Sequence, residues 1–197
     1  MKLTVKKNNA LALFTIVLAF LGAAISSFAG SATWSAAPDT AYTWFTATSG
    51  NYSDGTKWSP TGVPLNPGDT GTVPGTATYT IALDVSPNID SFTINNPHAT
   101  LLFTGLNSMT TSGAFSNRGT VEIPSGDNNL LHAGSITNNS GSVMKVDNVS
   151  GFHIQTPTLT NNGAITINQS TVGNTTNLNI TGDVTLSGSG RFRGRMS

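Results

Sequence analysis

One short phrase is written three times at a fixed distance, and that fixes most of what this chain can become. Asn117-Arg118-Gly119-Thr120-Val121 is followed by Asn139-Ser140-Gly141-Ser142-Val143 and then by Asn161-Asn162-Gly163-Ala164-Ile165. The glycines at 119, 141 and 163 lie 22 residues apart, with Asn and a β-branched or small residue in step. A constant period of this size marks stacked repeats, each resting mainly on its neighbours. Three short strands and three turns fill about 22 residues, one coil of a parallel β-helix. Asn117, Gly119, Asn139, Gly141, Asn161 and Gly163 are read as the structural turn residues. Asn and Gly tolerate left-handed backbone angles at corners, and stacked Asn side chains can hydrogen-bond from coil to coil. The rival architecture is an antiparallel sandwich with Asn-Gly hairpins.

The flanking residues refine the register. A rigid 22-residue step would set Lys145 under Ile123, burying an unpaired ammonium, which costs far more than a bulge. The expected inward pairs are therefore Val121 and Ile123, Met144 and Val146, and Ile165 and Ile167, with Lys145 outward. The steps become 23 and 21. Short strands separated by Gly, Asn, Ser or Pro continue this pattern from Thr76 to Leu186. No stretch after residue 30 carries a helical stripe.

Composition agrees with β-structure joined by polar, uncharged turns. Only 9% of the 197 residues are charged and the formal net charge is zero. The clustered Lys and Arg of a nucleic-acid footprint are absent, so no nucleic-acid partner is expected. The chain has no cysteine, which excludes disulfides and thiolate metal sites. Residues 1–29 read as a signal peptide. Lys2, Lys6 and Lys7 precede an apolar run from Ala10 to Ile25, and Ser27-Phe28-Ala29 supplies the small residues of a cleavage site. A retained anchor is the competing reading, but the run is shorter than the ~20 apolar residues of a membrane span. The chain is thus expected to be exported to the periplasm, the medium or the outer cell surface, with no membrane contact after cleavage.

Residues 30–75 concentrate the aromatics Trp34, Tyr42, Trp44, Phe45, Tyr52 and Trp58 among turn signals. An open solenoid end exposes apolar side chains and strand edges, so a Trp-rich cap is expected here. The alternative is a carbohydrate-binding platform in which Trp44, Tyr52 and Trp58 stack on extracellular glycans. Coils are expected over 76–190, and 191–197 read as a basic tail or a truncated end.

The string Trp44…Gly50-Asn51-Tyr52-Ser53-Asp54…Trp58-Ser59…Gly62-Val63-Pro64…Pro67-Gly68-Asp69-Thr70 resembles the opening of exported bacterial right-handed β-helix proteins, the autotransporter-like passengers with autotransporter-associated β-strand repeats. In that family a similar phrase precedes a strand and then Asn-x-Gly-rich coils. The resemblance implies an all-β, right-handed, single-stranded parallel β-helix on the cell surface or outside it. It also implies a structural or adhesive task with host or neighbouring cell surfaces, or glycans, as partners. The chain is shorter than such passengers, and no amphipathic C-terminal strands of an outer-membrane barrel are read after the coils, so self-translocation is not expected.

Some β-helices resemble polysaccharide lyases and hydrolases, which need carboxylates, with or without calcium, gathered on one face of adjacent coils. Stepping 22 residues from Glu122, Asp127 or Arg118 lands on no charge. Asp127 and Asp147 on neighbouring faces are the residual candidates. His132 and His153 are expected one above the other, without further metal ligands. Asp54 and Asp69 are expected to cap turns. No catalytic residue, metal site or cofactor is expected.

Overall fold

Period-two alternation of apolar and polar residues makes each segment a strand with one buried face, and the short turns between them return the chain to start the next coil. The computed structural model describes residues 39–124, 129–147, 153–168, 186–187 and 190–195. In chain order the strands are β1 (Ala41–Trp44), β2 (Gly50–Asn51), β3 (Trp58–Ser59), β4 (Thr70–Val73), β5 (Tyr79–Leu83) and β6 (Asn88–Ile89). Next come β7 (Ser91–Ile94), β8 (Ala99–Phe103), β9 (Met109–Asn117), β10 (Thr120–Ile123), β11 (Leu130–Asn138) and β12 (Val143–Asp147). The last are β13 (His153–Gln155), β14 (Leu159–Asn161), β15 (Ala164–Asn168), β16 (Leu186–Ser187) and β17 (Arg191–Arg195).

They stack into two parallel sheets. The broad sheet runs β16-β14-β11-β9-β7-β4-β1-β3, with β13 beside β11 and β6 beside β9. The narrow sheet runs β17-β15-β12-β10-β8-β5-β2. The chain alternates between them, so the fold is all-β, a parallel β-solenoid. Among the described strands, β1 with β3 is the one antiparallel pair. The coil expected from the repeat is therefore present, and the hairpin sandwich is not.

The inward register is the expected one. Val121 pairs with Met144 and Ile123 with Val146; Met144 then pairs with Ile165 and Val146 with Ile167. Lys145 points outward and meets Glu122 at 3.1 Å, both side chains about one-third exposed. This corrects the expectation that charges do not stack: the 23-residue step itself puts Glu122 beside Lys145.

The core is one column of apolar side chains from Trp44 to Ile165. At its N-terminal end Trp44 and Trp58 meet edge to face at 5.1 Å, and Tyr52 meets Trp58 at 5.1 Å. Phe92 lies beneath Trp58 and stacks on Phe115, with centroids 6.0 Å apart. Gly71 makes room for that ring, since a Cβ there would lie 2.6 Å from it. Parallel stacking begins before residue 76, because β1 already pairs with β4 and β2 with β5. At the other end, the residues expected as a basic tail form β17 instead. Phe192 stands in register with Ile165, and the Arg-Phe-Arg-Gly-Arg alternation supplies one more strand. The proposed leader and the strands expected at 178–180 and 184–185 lie outside the described residues.

Candidate functional site

Trp44, Tyr52 and Trp58 are 1%, 0% and 0% exposed, so none presents a ring face to solvent. The expected Trp-rich cluster is formed, and the alternative, a sugar-stacking platform, is not. Trp58 Nε1 donates to Tyr52 O (2.9 Å) and Tyr52 Oη donates to Pro64 O (3.0 Å), which ties the rings into the cap. Burial, reinforced by the nearby Asp69 charge, pushes the Tyr52 phenol well above its ordinary pKa.

The turn asparagines also need correction. Asn117 Nδ2 donates to Asn138 Oδ1 and Asn138 Nδ2 to Asn161 Oδ1, both at 2.9 Å, and all three residues are buried. The ladder passes through Asn138, not Asn139. Asn139 is half-buried and reaches back to Ser116 Oγ and Asn117 O. The glycines divide in the same way. Gly119 and Gly163 pack so closely that a Cβ would lie 2.4 Å from a backbone oxygen of the preceding coil. Gly141 has nothing within 4 Å and is glycine because its φ is +82°. Ser142 takes the place equivalent to Gly119, and its Oγ donates to Asn138 Oδ1 at 2.7 Å.

Both turn carboxylates cap backbone as expected. Asp69 is buried and accepts from Thr40 N, Leu65 N and Asn66 N at 3.0–3.2 Å. Asp54 accepts from Thr56 Oγ1 and N, and these bonds hold its carboxyl below the ordinary range. His132 and His153 are not in register: His132 pairs with Gln155 and His153 with Leu130. The step here is 23 residues, not 21. Asp127 lies outside the described residues. Among the described residues no three His, Asp or Glu side chains gather as metal ligands.

What the structure assembles instead is an uncharged face on the broad sheet. Thr43, Thr72, Thr93, Ser116, Thr137 and Thr160 occupy one outward register column. Two residues earlier in the same strands stand Thr70, Ser91, Ala114 and Ser135, with Thr158 just before β14. Neighbouring strands lie ~4.8 Å apart and alternate residues ~6.6 Å apart along a strand. The face is thus a two-dimensional lattice of hydroxyl and methyl groups. The narrow sheet lacks this regularity: its corresponding column reads Leu102, Glu122, Lys145 and Thr166.

At the head of the hydroxyl column is a groove of about 460 Å³ that includes Thr43, Trp44, Phe45, Thr46, Pro74 and Tyr79 in its lining. Phe45 is 59% exposed beside it, whereas Trp44 Nε1 and Thr46 Oγ1 are buried away from solvent without a hydrogen-bond partner.

Searches against protein-family models, curated proteins and solved structures found no match to this chain.

Proposed function

We propose that the chain is an exported β-solenoid with a structural and adhesive task and no catalysis, its hydroxyl lattice being the contact surface. The observation that carries this reading is the unbroken Ser/Thr column of the broad sheet. Cross-strand stacking of Thr suits β-structure, but it does not require the same outward column to stay hydroxylated through successive coils. A flat, neutral lattice makes many weak contacts at once with a partner that is itself flat, neutral and ordered, such as the surface of an insoluble polysaccharide. Such contacts gain from multivalency rather than from any single strong group. Export rests on the leader reading of residues 1–29.

The test is retention of the full chain on insoluble neutral glucan and chitin, compared with the Thr93→Lys and Thr137→Lys variants. Both positions are half-buried and outward, so the fold should persist while an unpaired ammonium interrupts the lattice. The expected result is retention by the parent chain and its loss in both variants. Equal retention of all three, or retention of none, overturns the proposal. An activity screen over acidic and neutral glycans, with and without calcium, addresses the rival enzyme reading; turnover of any of them would displace the adhesive one.

A further inference from the structure

The corner at which the broad sheet hands the chain to the narrow one is corrugated. Its turns run 95–98 between β7 and β8, 118–119 between β9 and β10, 139–142 between β11 and β12, and 162–163 between β14 and β15. Four-residue turns thus alternate with two-residue turns in successive coils. The short turns sit close in: a Cβ on Gly119 would meet Ala99 O at 2.4 Å and Asn96 O at 2.7 Å. Each short turn is therefore the floor of a notch. The first notch, about 320 Å³, is lined by Asn95 and Pro97 from one long turn, Arg118 from the floor, and Asn139 and Ser140 from the next long turn. A second, about 260 Å³, opens over 162–163 and takes Arg191 from β17 into its lining. The two floors are two coils, about 10 Å, apart.

The backbone holds this relief in place. Arg118 N donates to Ile94 O at 2.9 Å, Asn139 N to Asn117 O at 2.9 Å and Asn162 N to Asn138 O at 2.8 Å, so the residues leaving the broad sheet stay in line from coil to coil. Electrostatics also set this corner apart. None of its four turns holds an Asp or Glu, and Glu122, beyond the corner on β10, is matched by Lys145. Arg118 is exposed, and among the described residues its guanidinium has no hydrogen-bond or ion-pair partner. An anion reaching it displaces only water and competes with no internal carboxylate.

The lining selects the ligand's chemistry. The planar guanidinium is a fork that matches a carboxylate with two parallel bonds. Asn139 spends its Nδ2 on Ser116 Oγ and Asn117 O, which leaves Oδ1 to accept from a hydroxyl. Asn95 and Ser140 are exposed and can donate or accept. Pro97, also exposed, offers carbon surface. One carboxylate, several hydroxyls and a C–H face on a single unit describe a uronic acid ring.

We propose that this corner binds a uronate-bearing polysaccharide, with one carboxylate on Arg118 in the first notch and another on Arg191 at the second. Two weak sites joined by one polymer bind it more tightly than either does alone. The corner is distinct from the hydroxyl lattice: the lattice meets a flat neutral surface, and the corner reads charge along one soluble strand.

The test is calorimetric titration of the full chain with oligogalacturonates and oligoalginates of several lengths. Cello-oligosaccharides serve as neutral comparators, and heparin and single-stranded DNA as polyanions of other chemistry. The uronates are expected to bind and the neutral series not to. Arg118→Gln should weaken uronate binding about tenfold or more with Tm unchanged, since it removes a charge-assisted pair at an exposed position. Arg118→Lys should recover only part of the loss, because an ammonium keeps the charge but not the fork. Arg191→Gln should weaken the long oligomers and leave the shortest unchanged. Retention on insoluble neutral glucan should be untouched by Arg118→Gln, which separates this corner from the lattice. The inference is overturned if no uronate binds, if neutral oligomers bind equally well, or if Arg118→Gln binds as the parent does. It is also overturned if DNA and heparin bind as tightly through Arg118, which would mean a response to negative charge alone.

Discussion

The sharpest test of the fold's internal logic is Asn138. Its side chain makes four hydrogen bonds: it accepts from Asn117 Nδ2 (2.9 Å) and Ser142 Oγ (2.7 Å) and donates to Asn161 Oδ1 (2.9 Å) and Ala164 O (3.2 Å). Asn138→Ala removes all four. Asn117 Nδ2 keeps Val143 O, and Ser142 Oγ keeps Asn139 O, but Asn161 Oδ1 is left buried and unmet. At ~1 kcal/mol net per bond, the loss is about 4 kcal/mol. That is a large share of the ~5–15 kcal/mol that holds a typical domain. With a urea m-value of ~2 kcal/mol/M, the unfolding midpoint should fall by about 2 M. Asn139→Ala, which loses two bonds at a half-exposed position, should cost about 1 kcal/mol or less, because water replaces the partners.

Asn138→Asp sharpens the test. It keeps the shape and acceptor but turns a donor toward Asn161 Oδ1 and Ala164 O into a second acceptor. Burial and these oxygens disfavour the carboxylate, so the folded pKa lies above the unfolded value of ~3.9. The folded state then holds the proton more tightly, and this variant loses stability as pH rises through that window and regains it in acid. Urea midpoints read by tryptophan fluorescence at pH 7 and pH 4, set against the parent at each pH, measure all three variants. Asn139→Ala costing as much as Asn138→Ala, or an Asp variant with the parent's pH dependence, would falsify the ladder's register.

Two further outcomes follow from the same geometry. Gly119→Ala and Gly163→Ala should each be severely destabilising or prevent folding, because the new Cβ meets backbone oxygen at 2.4 Å; Gly141→Ala should cost only ~1–2 kcal/mol, from its positive φ alone. Chemical denaturation of the three variants ranks them, and equal effects would mean the 22-residue spacing of these glycines reflects structural equivalence after all. Tyr52, whose phenol is held protonated by burial, ionises more readily unfolded than folded. Stability should therefore fall as pH rises above ~10. In Tyr52→Phe that alkaline fall should shrink, and an unchanged profile would place the titrating group elsewhere.

The repeat made the coil legible because core residues alternate so regularly that the inward set could be assigned, and Lys145 alone revealed that one coil was irregular. The nature of the irregularity was less visible. Four residues separate Asn117 from Val121 and Asn161 from Ile165, but six separate Asn138 from Met144. From Val121 to Asn138 and from Met144 to Asn161 the distance is 17 in both coils. The coil is thus 21 residues with two inserted at one turn, and the even spacing of the glycines is an average across that insertion. Adjacent Asn138 and Asn139 concealed it. Counting back 17 residues from Asn161 to Met144, then comparing turns, would have found it. The hydroxyl column stayed hidden for a related reason: its successive steps from Thr72 are 21, 23, 21 and 23, so a rigid 22-residue stride meets it only at every second coil and lands on the inward Ile94 and Asn138 between.

That pattern of steps also explains how an exposed lattice is kept in order. In each coil the hydroxyl residue immediately precedes a member of the corner column: Thr93 before Ile94, Ser116 before Asn117, Thr137 before Asn138 and Thr160 before Asn161. Neighbours in a strand face opposite ways, so each Asn is buried because its Ser or Thr is exposed, and the reverse. A face of small polar residues specifies register poorly by itself, since slipping one Thr past another costs little. The buried amides supply what the face lacks. A one-residue slip would carry Asn138 to the surface, break its four bonds and place Thr137 in the core. The ladder therefore contributes more than its own hydrogen bonds: it holds the coils to one register, and with it the spacing on which any contact with an ordered partner would depend.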